Sequence, residues 1–274
     1  MVRDYEAIRL TIDGDGIAHI ALNRPKALNA INSVLMHEAT GALKALEADP
    51  AIRCIVLSGD GRSFSAGFDL KESAAAGERT ISDWQRVLED DFNFIIQFWE
   101  SPKPTISAIH GHCIGGGLEL AVACDIAIAG EDAVFGEPEV RFGSGIVALL
   151  VPWLIGPKHA KDILLTGNDH ISASRAAAIG LVTEMVPAGE HLTRAFEKAR
   201  EIAAAAPLSV ALTKRAINRS FDLRGMRMSL LSALEIDVIL ESSAGPEKKE
   251  FNRIRKEQGL KEAIAWRNSR SKSG

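Results

Sequence analysis

The chain has 274 residues, 46% hydrophobic and 25% charged, enough to bury a sizeable core in one large domain with an appendage. A net charge of −4 gives no general attraction to nucleic acid or an anionic membrane, although a local basic patch is compatible with it, and no stretch approaches 18 uninterrupted apolar residues. Three scattered cysteines, Cys54, Cys113 and Cys124, make neither a disulfide framework nor a zinc cluster; with no apolar signal region in Met1-Val2-Arg3-Asp4-Tyr5, the expectation is a cytoplasmic protein without metal.

Ile8 to Ile12 and Ile17 to Leu22 are apolar runs separated by Asp13-Gly14-Asp15-Gly16, residues that tolerate positive φ, so a β-hairpin opens the chain. Leu35, Ala39, Ala42, Leu43 and Leu46 recur at helical spacing from Ser33 to Ala48, before Asp49-Pro50. Ile52 to Ser58 reads as a buried strand. Ser82-x-x-Gln85 has the form of a capping box opening a helix that ends before Ser101-Pro102, and Thr105 to Ile109 is the next strand. The alternation continues with a helix from Gly116 to Cys124 and strands at Asp125 to Ala129 and Ala133 to Phe135. Pro157 suits a first helical position and Gly167 a terminus; Ser172 and Gly180 bracket a short helix before a strand from Val182 to Val186. From Glu190 onward strand signals vanish, with interruptions only at Pro207, Gly225 and Gly245-Pro246. The fold class is therefore α/β over residues 1–200, followed by an α-helical C-terminal region over residues 201–274.

Two carboxylates stand out. Glu119 and Glu139 each follow a glycine-bearing stretch, Gly115-Gly116-Gly117 and Phe135-Gly136-Glu137-Pro138. Gly116 falls in the first turn of its helix, where its N–H has no intrahelical partner and lies at the positive end of the helix dipole. Glu119 follows at i+3 on the same face, so an oxyanion donor and a carboxylate become neighbours. Small residues in Ser63-Phe64-Ser65-Ala66-Gly67-Phe68-Asp69-Leu70 let backbone approach a ligand, and an amide near Gly67-Phe68 would make a second donor to a carbonyl oxygen gaining charge. Spacing alone also permits the plainer reading, glycines serving tight turns and close packing.

In order along the chain stand Leu22-Asn23-Arg24-Pro25-x-Ala27-Leu28-Asn29-Ala30, Phe64-Ser65-Ala66-Gly67-Phe68-Asp69-Leu70, Gly111-x-x-x-Gly115-Gly116-Gly117-Leu118-Glu119-Leu120, Cys124-Asp125, Phe135-Gly136-Glu137-Pro138-Glu139 and Ala176-x-x-x-Gly180-Leu181-Val182. Together these resemble the enoyl-CoA hydratase/isomerase, or crotonase, family over nearly the whole length. The resemblance implies a spiral of ββα units, a helical C-terminal region that packs against neighbouring subunits in trimers or dimers of trimers, and an acyl-CoA thioester substrate, coenzyme A being part of that substrate rather than a cofactor. By motif position the N–H groups of Phe68 and Gly116 would hold the thioester oxygen, and Glu119 and Glu139 would be the catalytic pair. Asn23 to Ala27 and Ala66 to Leu70 match the segments that cradle coenzyme A, which makes Arg24, Lys26, Ala27, Ala66, Asp69 and Leu70 candidate binding residues, Arg24 and Lys26 through phosphate.

With both glutamates present, the resemblance favours hydration of a 2-trans-enoyl-CoA to a 3-hydroxyacyl-CoA. Glu119 would deprotonate the attacking water and Glu139 would handle the proton at the α-carbon. Double-bond isomerisation, which needs chiefly the second glutamate, is the enzymatic alternative, and a nonenzymatic acyl-CoA-binding or RNA-associated protein is the alternative of another class. Glu137 rivals Glu139 as the second acid, but the Gly-x-Pro-Glu frame favours Glu139. His110 and His112, at i, i+2, do not make a helical metal pair, and Cys113 among apolar neighbours reads as a packed thiol. Asp69 reads as a backbone organiser. The run from Gly143 to Trp153 departs from the Gly-Gly-Thr-Gln-like segment of many hydratases and bears on the acyl pocket. Arg141 has no assigned place, and the tail from Gly245 to Arg255 reads as an insertion.

Overall fold

A computed structural model describes residues 5–243 and 245–270, so Met1 to Asp4 and the end of the helical region lie outside it. The strands are β1 (Ile8–Ile12), β2 (Ile17–Leu22), β3 (Cys54–Gly59), β4 (Ser63–Ser65), β5 (Thr105–Ile109), β6 (His112–Ile114), β7 (Ile126–Gly130), β8 (Val134–Gly136), β9 (Ile171–Ser172) and β10 (Glu184–Val186). The helices are α1 (Ser33–Ala48), α2 (Leu70–Ala75), α3 (Ile81–Glu100), α4 (Gly116–Ala123), α5 (Val151–Thr166), α6 (Ala173–Ala178), α7 (His191–Ala204), α8 (Pro207–Leu223), α9 (Met226–Ser243), α10 (Pro246–Gln258) and α11 (Leu260–Arg270).

The opening hairpin pairs Ile8 with Leu22, and the Asp13 carboxylate closes its turn by accepting from the N–H groups of Asp15 and Ile17. Beyond β2 the larger sheet is parallel, in the order β1-β2-β3-β5-β7-β10. Its central strands are covered on both faces, which is why Cys54-Ile55-Val56-Leu57 is a continuous apolar run rather than an alternating one. On one face α1 buries Leu35, Ala39, Ala42, Leu43 and Leu46; on the other, Ala195 and Ala199 of α7 meet Val56, Ile106 and Ile128.

The smaller sheet has the order β4-β6-β8-β9, its first three strands parallel. Each of its parallel strands directly follows a strand of the larger sheet: β3 then β4, β5 then β6, β7 then β8, with helices completing each turn. The chain is thus a spiral of ββα units, as the resemblance implies. Neighbouring turns bring the C-terminal ends of β4, β6 and β8 side by side, with Ser65 opposite Cys113 and Ile114 opposite Gly136.

Three expectations need correction. The capping box of α3 is formed by Thr80 and Asp83, not Ser82 and Gln85: the Thr80 hydroxyl accepts the Asp83 N–H while the Asp83 carboxylate accepts the Thr80 N–H. Strand β10 starts at Glu184 rather than Val182, because Leu181 and Val182 turn into the core behind α6. The helical tail is no detached appendage. Phe251, Ile254 and Ala263 of α10 and α11 bury themselves against Leu70 and Phe142, and Arg255 donates to the Leu70 carbonyl.

Candidate active site

The ends of β4, β6 and β8 open on a cavity of about 1170 Å³ whose walls include Phe68, Gly116, Glu119 and Glu139. Each lies two to five residues beyond its short strand, so strand pairing fixes their mutual distance before any side chain is placed. Phe68 pairs with Ile31 in an isolated bridge: the Ile31 N–H donates to the Gly67 carbonyl at 2.8 Å, and the Asp69 N–H donates to the Ile31 carbonyl at 2.8 Å. By the alternation of extended backbone, the intervening Phe68 N–H faces the other way. Gly116 is the first residue of α4, capped by Gly115 without any side-chain bond. Among the described residues neither amide donates to a backbone carbonyl.

The glycines are dictated by contact. A Cβ on Gly67 would stand 3.2 Å from the Gly116 nitrogen, one on Gly116 would stand 2.5 Å from the Phe68 ring, and one on Gly115 would stand 2.3 Å from Oε1 of Glu139. Gly115 also holds φ +56°, which a side chain strains to adopt. These positions therefore let two amides and one carboxyl approach a common point.

Glu119 is buried on α4, and each carboxyl oxygen accepts a backbone N–H, Oε1 from Val147 at 3.2 Å and Oε2 from Ala148 at 2.8 Å. Burial outweighs those two donors and, with the neighbouring charges of Glu139 and Asp237, pushes its pKa well above the carboxylate range. Glu139 opens a 3-10 turn after β8 and is likewise pushed up by burial, while the charge of Arg267 pulls the other way. Two desolvated carboxyls in mutual repulsion favour a pair that keeps one proton near neutral pH.

The remaining expected residues divide. Ala66, Asp69 and Leu70 line the cavity; Arg24, Lys26 and Ala27 lie outside its walls. Arg24 is engaged through Nη1 by Asp69 at 2.9 Å and by the Ala30 carbonyl, which braces the loop. Asp69 also caps α2, accepting from Lys71 and Glu72; although burial opposes ionisation, these bonds and Arg24 hold it below the usual range. Lys26 is exposed and has no ion pair among the described residues. His110 donates from Nε2 to the Gly61 carbonyl and stacks on His191, whereas His112 borders the cavity. Cys113 is buried and its thiol is pushed up by burial, as a packed thiol should be.

Arg141 finds its place beside Arg267: both pair with Asp169, at 2.9 and 2.6 Å, tying the 3-10 turn that carries Glu139 to α11. Sequence reasoning missed the amides of Val147 and Ala148, which have no residue signature. It also missed the acidic wall formed by Asp91 on α3 and Asp237 on α9, whose pKa values burial pushes up to about 8 and about 7. For Asp237 a signal existed: Leu230, Leu234, Asp237 and Glu241 continue one buried helical stripe, the last two positions acidic.

Residues 13–247 match the sequence profile of the enoyl-CoA hydratase/isomerase family. The chain belongs to that family. A probable mitochondrial enoyl-CoA hydratase of Dictyostelium discoideum is 38% identical over 213 residues, covering 74% of this chain and 73% of the relative. A probable enoyl-CoA hydratase of Mycobacterium tuberculosis is 37% identical over 227 residues, covering 80% and 83%. The crystal structure of an enoyl-CoA hydratase/isomerase from Xanthobacter autotrophicus Py2 superposes with a TM-score of 0.95 at 44% identity, covering 97% of this chain and 99% of that one.

Proposed function

We propose that this enzyme is an enoyl-CoA hydratase that adds water to a 2-trans-enoyl-CoA to give a 3-hydroxyacyl-CoA. The observation that carries the reading is the meeting, in one cavity wall, of two unengaged amides with the buried carboxyl of Glu119 and the half-buried Glu139. The N–H groups of Phe68 and Gly116 hold the thioester oxygen, whose negative charge grows as the β-carbon is attacked, and the α4 dipole adds to that stabilisation. Ionised Glu119 takes a proton from water as its oxygen bonds to the β-carbon and the π electrons move to the thioester. Protonated Glu139 then gives its proton to the α-carbon, and transfer between the two carboxyls restores the starting state.

Ala66, Asp69 and Leu70 line the pantetheine path in this reading, and Lys26 is a cation available for phosphate. A homotrimer or dimer of trimers belongs to the same proposal. It is supported by large apolar side chains exposed along α8 and α9, among them Leu208, Leu212, Ile236 and Ile239, and the mass in solution reads it directly. Cytoplasmic location is proposed on the strength of the bacterial relatives; the mitochondrial names of two others mark the alternative compartment. Among the described residues no helix is long and apolar enough to cross a membrane.

The decisive experiment is Glu119→Gln, assayed with crotonyl-CoA by loss of the conjugated thioester absorbance and product mass. Hydration should fall by at least about a thousandfold. Conversion of a 3-enoyl-CoA to its 2-enoyl isomer, a proton shuttle through Glu139, should persist. Hydration surviving in the variant would reject the assignment.

A further inference from the structure

Beside Glu119 and Glu139 the cavity has a second polar wall, which the hydration mechanism leaves unused. It is built where α3 packs on α9. Asp91 falls on the buried face of α3, at helical spacing between Leu88 and Ile95, and Asp237 continues the buried stripe of α9 after Leu230 and Leu234. Both aspartates line the cavity, so two acidic side chains stand where each helical pattern calls for an apolar one.

Glu241, one turn beyond Asp237, shows how a buried carboxyl is held in this wall. It accepts from the Ser144 hydroxyl, from the Gly145 N–H at 3.4 Å and from Lys248, whose ammonium also donates to the Glu241 carbonyl at 3.1 Å. Asp237 is not held in this way: it is only 3% exposed, yet no donor among the described residues reaches its Oδ1. Asp91 has neither a hydrogen bond nor an ion pair among the described residues. The cations beside the wall are engaged elsewhere. Lys248 is committed to Glu241 and to the face of Trp84, 4.4 Å from the ring centre; Arg79 donates to the Ser73 hydroxyl at 3.1 Å and lies over the same ring at 4.6 Å. A buried carboxyl without a hydrogen-bond partner is costly, so its retention calls for a role.

The wall is joined to the reacting centre by one short loop. Val147 and Ala148 donate to Glu119, and two residues before Val147 the backbone of Gly145 lies so close to Asp237 that a Cβ there would stand 1.9 Å from Oδ1. Extended backbone advances at most about 3.6 Å per residue, so Gly145 is within about 7 Å of Val147. We propose that Asp91 and Asp237 determine specificity by receiving a hydrogen-bond donor, a hydroxyl or an ammonium group, that the acyl chain carries a few carbons beyond its double bond. The inference rests on the hydratase reading and names its substrate class, a short enoyl-CoA with a polar end. A donor delivered there completes the aspartates, whereas a methyl group strips them of water and returns nothing. A site built around such a bond rejects the analogue lacking it far more strongly than an apolar pocket rejects a missing methylene, because a buried polar group is left unpaired.

The test offers the full chain three substrates of nearly equal length, 2-hexenoyl-CoA extended at its last carbon by a hydroxyl, an ammonium group or a methyl, and compares kcat/KM for hydration. The better donor-bearing substrate should exceed the methyl one by about a hundredfold or more. Ammonium ahead of hydroxyl assigns a cationic acyl group, and the reverse order an alcohol. The double variant Asp91→Leu, Asp237→Leu should invert the preference in favour of the methyl substrate. Wild type that favours the methyl substrate, or handles all three alike, overturns the proposal without any variant having to fold. A variant that keeps the wild-type preference overturns it as well. Calorimetry with the corresponding saturated acyl-CoAs, which cannot be hydrated, separates this proposal from the reading beneath it. If no enoyl-CoA is hydrated but a donor-bearing thioester binds about a hundredfold tighter than its methyl counterpart, the hydratase reading fails and the acidic wall stands. If crotonyl-CoA is hydrated while a donor brings no preference in turnover or binding, the wall proposal fails and the hydratase reading stands.

Discussion

At the scale of single residues, function rests on carboxyls held away from water. In the proposed mechanism Glu119 must be ionised to accept a proton from water, and Glu139 must be protonated to give one. Burial raises both above the range of an ordinary glutamate, near 4.3. Lowering the pH protonates Glu119 and removes the base; raising it ionises Glu139 and removes the acid. The expected kcat/KM profile for crotonyl-CoA is a bell with its maximum near neutrality, its acid limb displaced upward from the ordinary carboxylate range. Activity that stays flat down to the pKa of a solvated glutamate would show that Glu119 is not the desolvated base. Helical spacing from Gly116 made Glu119 legible in the sequence, whereas Glu139 was legible only through its motif. The amides of Val147 and Ala148 were not, since a backbone donor is present whatever the side chain.

At the scale of elements, long units were readable and short ones were not. Strands β3 and β5 and helices α1 and α3 carry five or more buried positions each, enough for a run or a period to emerge. Strands β4, β6 and β9 have two or three residues and exist only because neighbours pair with them. Yet the ends of β4 and β6, with that of β8, place the whole site. The junction of β6 and α4 shows how narrow the tolerance is. At Gly115→Ala the backbone keeps φ +56° at a cost of about 1–3 kcal/mol, and the new methyl carbon meets the Glu139 carboxyl. Denaturant unfolding should report that loss of stability. Hydration by the folded fraction should fall by about tenfold or more besides, because displacing the acid by even 1 Å spoils its geometry. A variant as destabilised as expected but fully active would mean that Glu139 does not need this approach.

At the scale of the whole molecule, the helical tail proves part of the cavity wall. Residues 246–270 supply Phe251, Ile264 and Arg267 to the cavity, a long-range arrangement that no local pattern in a Lys- and Glu-rich segment could disclose. The enclosure that results also leaves an electrostatic signature on stability. Glu119, Glu137, Glu139, Asp91 and Asp237 all have folded-state pKa values above those of the unfolded chain, burial being the first cause in each. Between the two sets of values the folded state binds more protons, so stability must fall as pH rises through that interval. The window opens near 4, where unfolded carboxyls titrate, and extends to about 7 for Asp237 and about 8 for Asp91. Asp69, Asp83, Glu247 and Glu250 are shifted downward instead, and their contribution is lost only as pH falls below the ordinary carboxylate range. The two sets of carboxyls therefore act in separate windows, and His19, lowered by burial to about 4, and His191, also lowered, oppose the first set only below the ordinary histidine range near 6.5. Thermal unfolding at one fixed protein concentration should show Tm declining from neutral to mildly alkaline pH. Glu119→Gln, which cannot ionise, should decline less steeply. A Tm that rises over the same interval would mean that these carboxyls are solvated or paired with cations, and the dry pocket on which the proton chemistry depends would not exist.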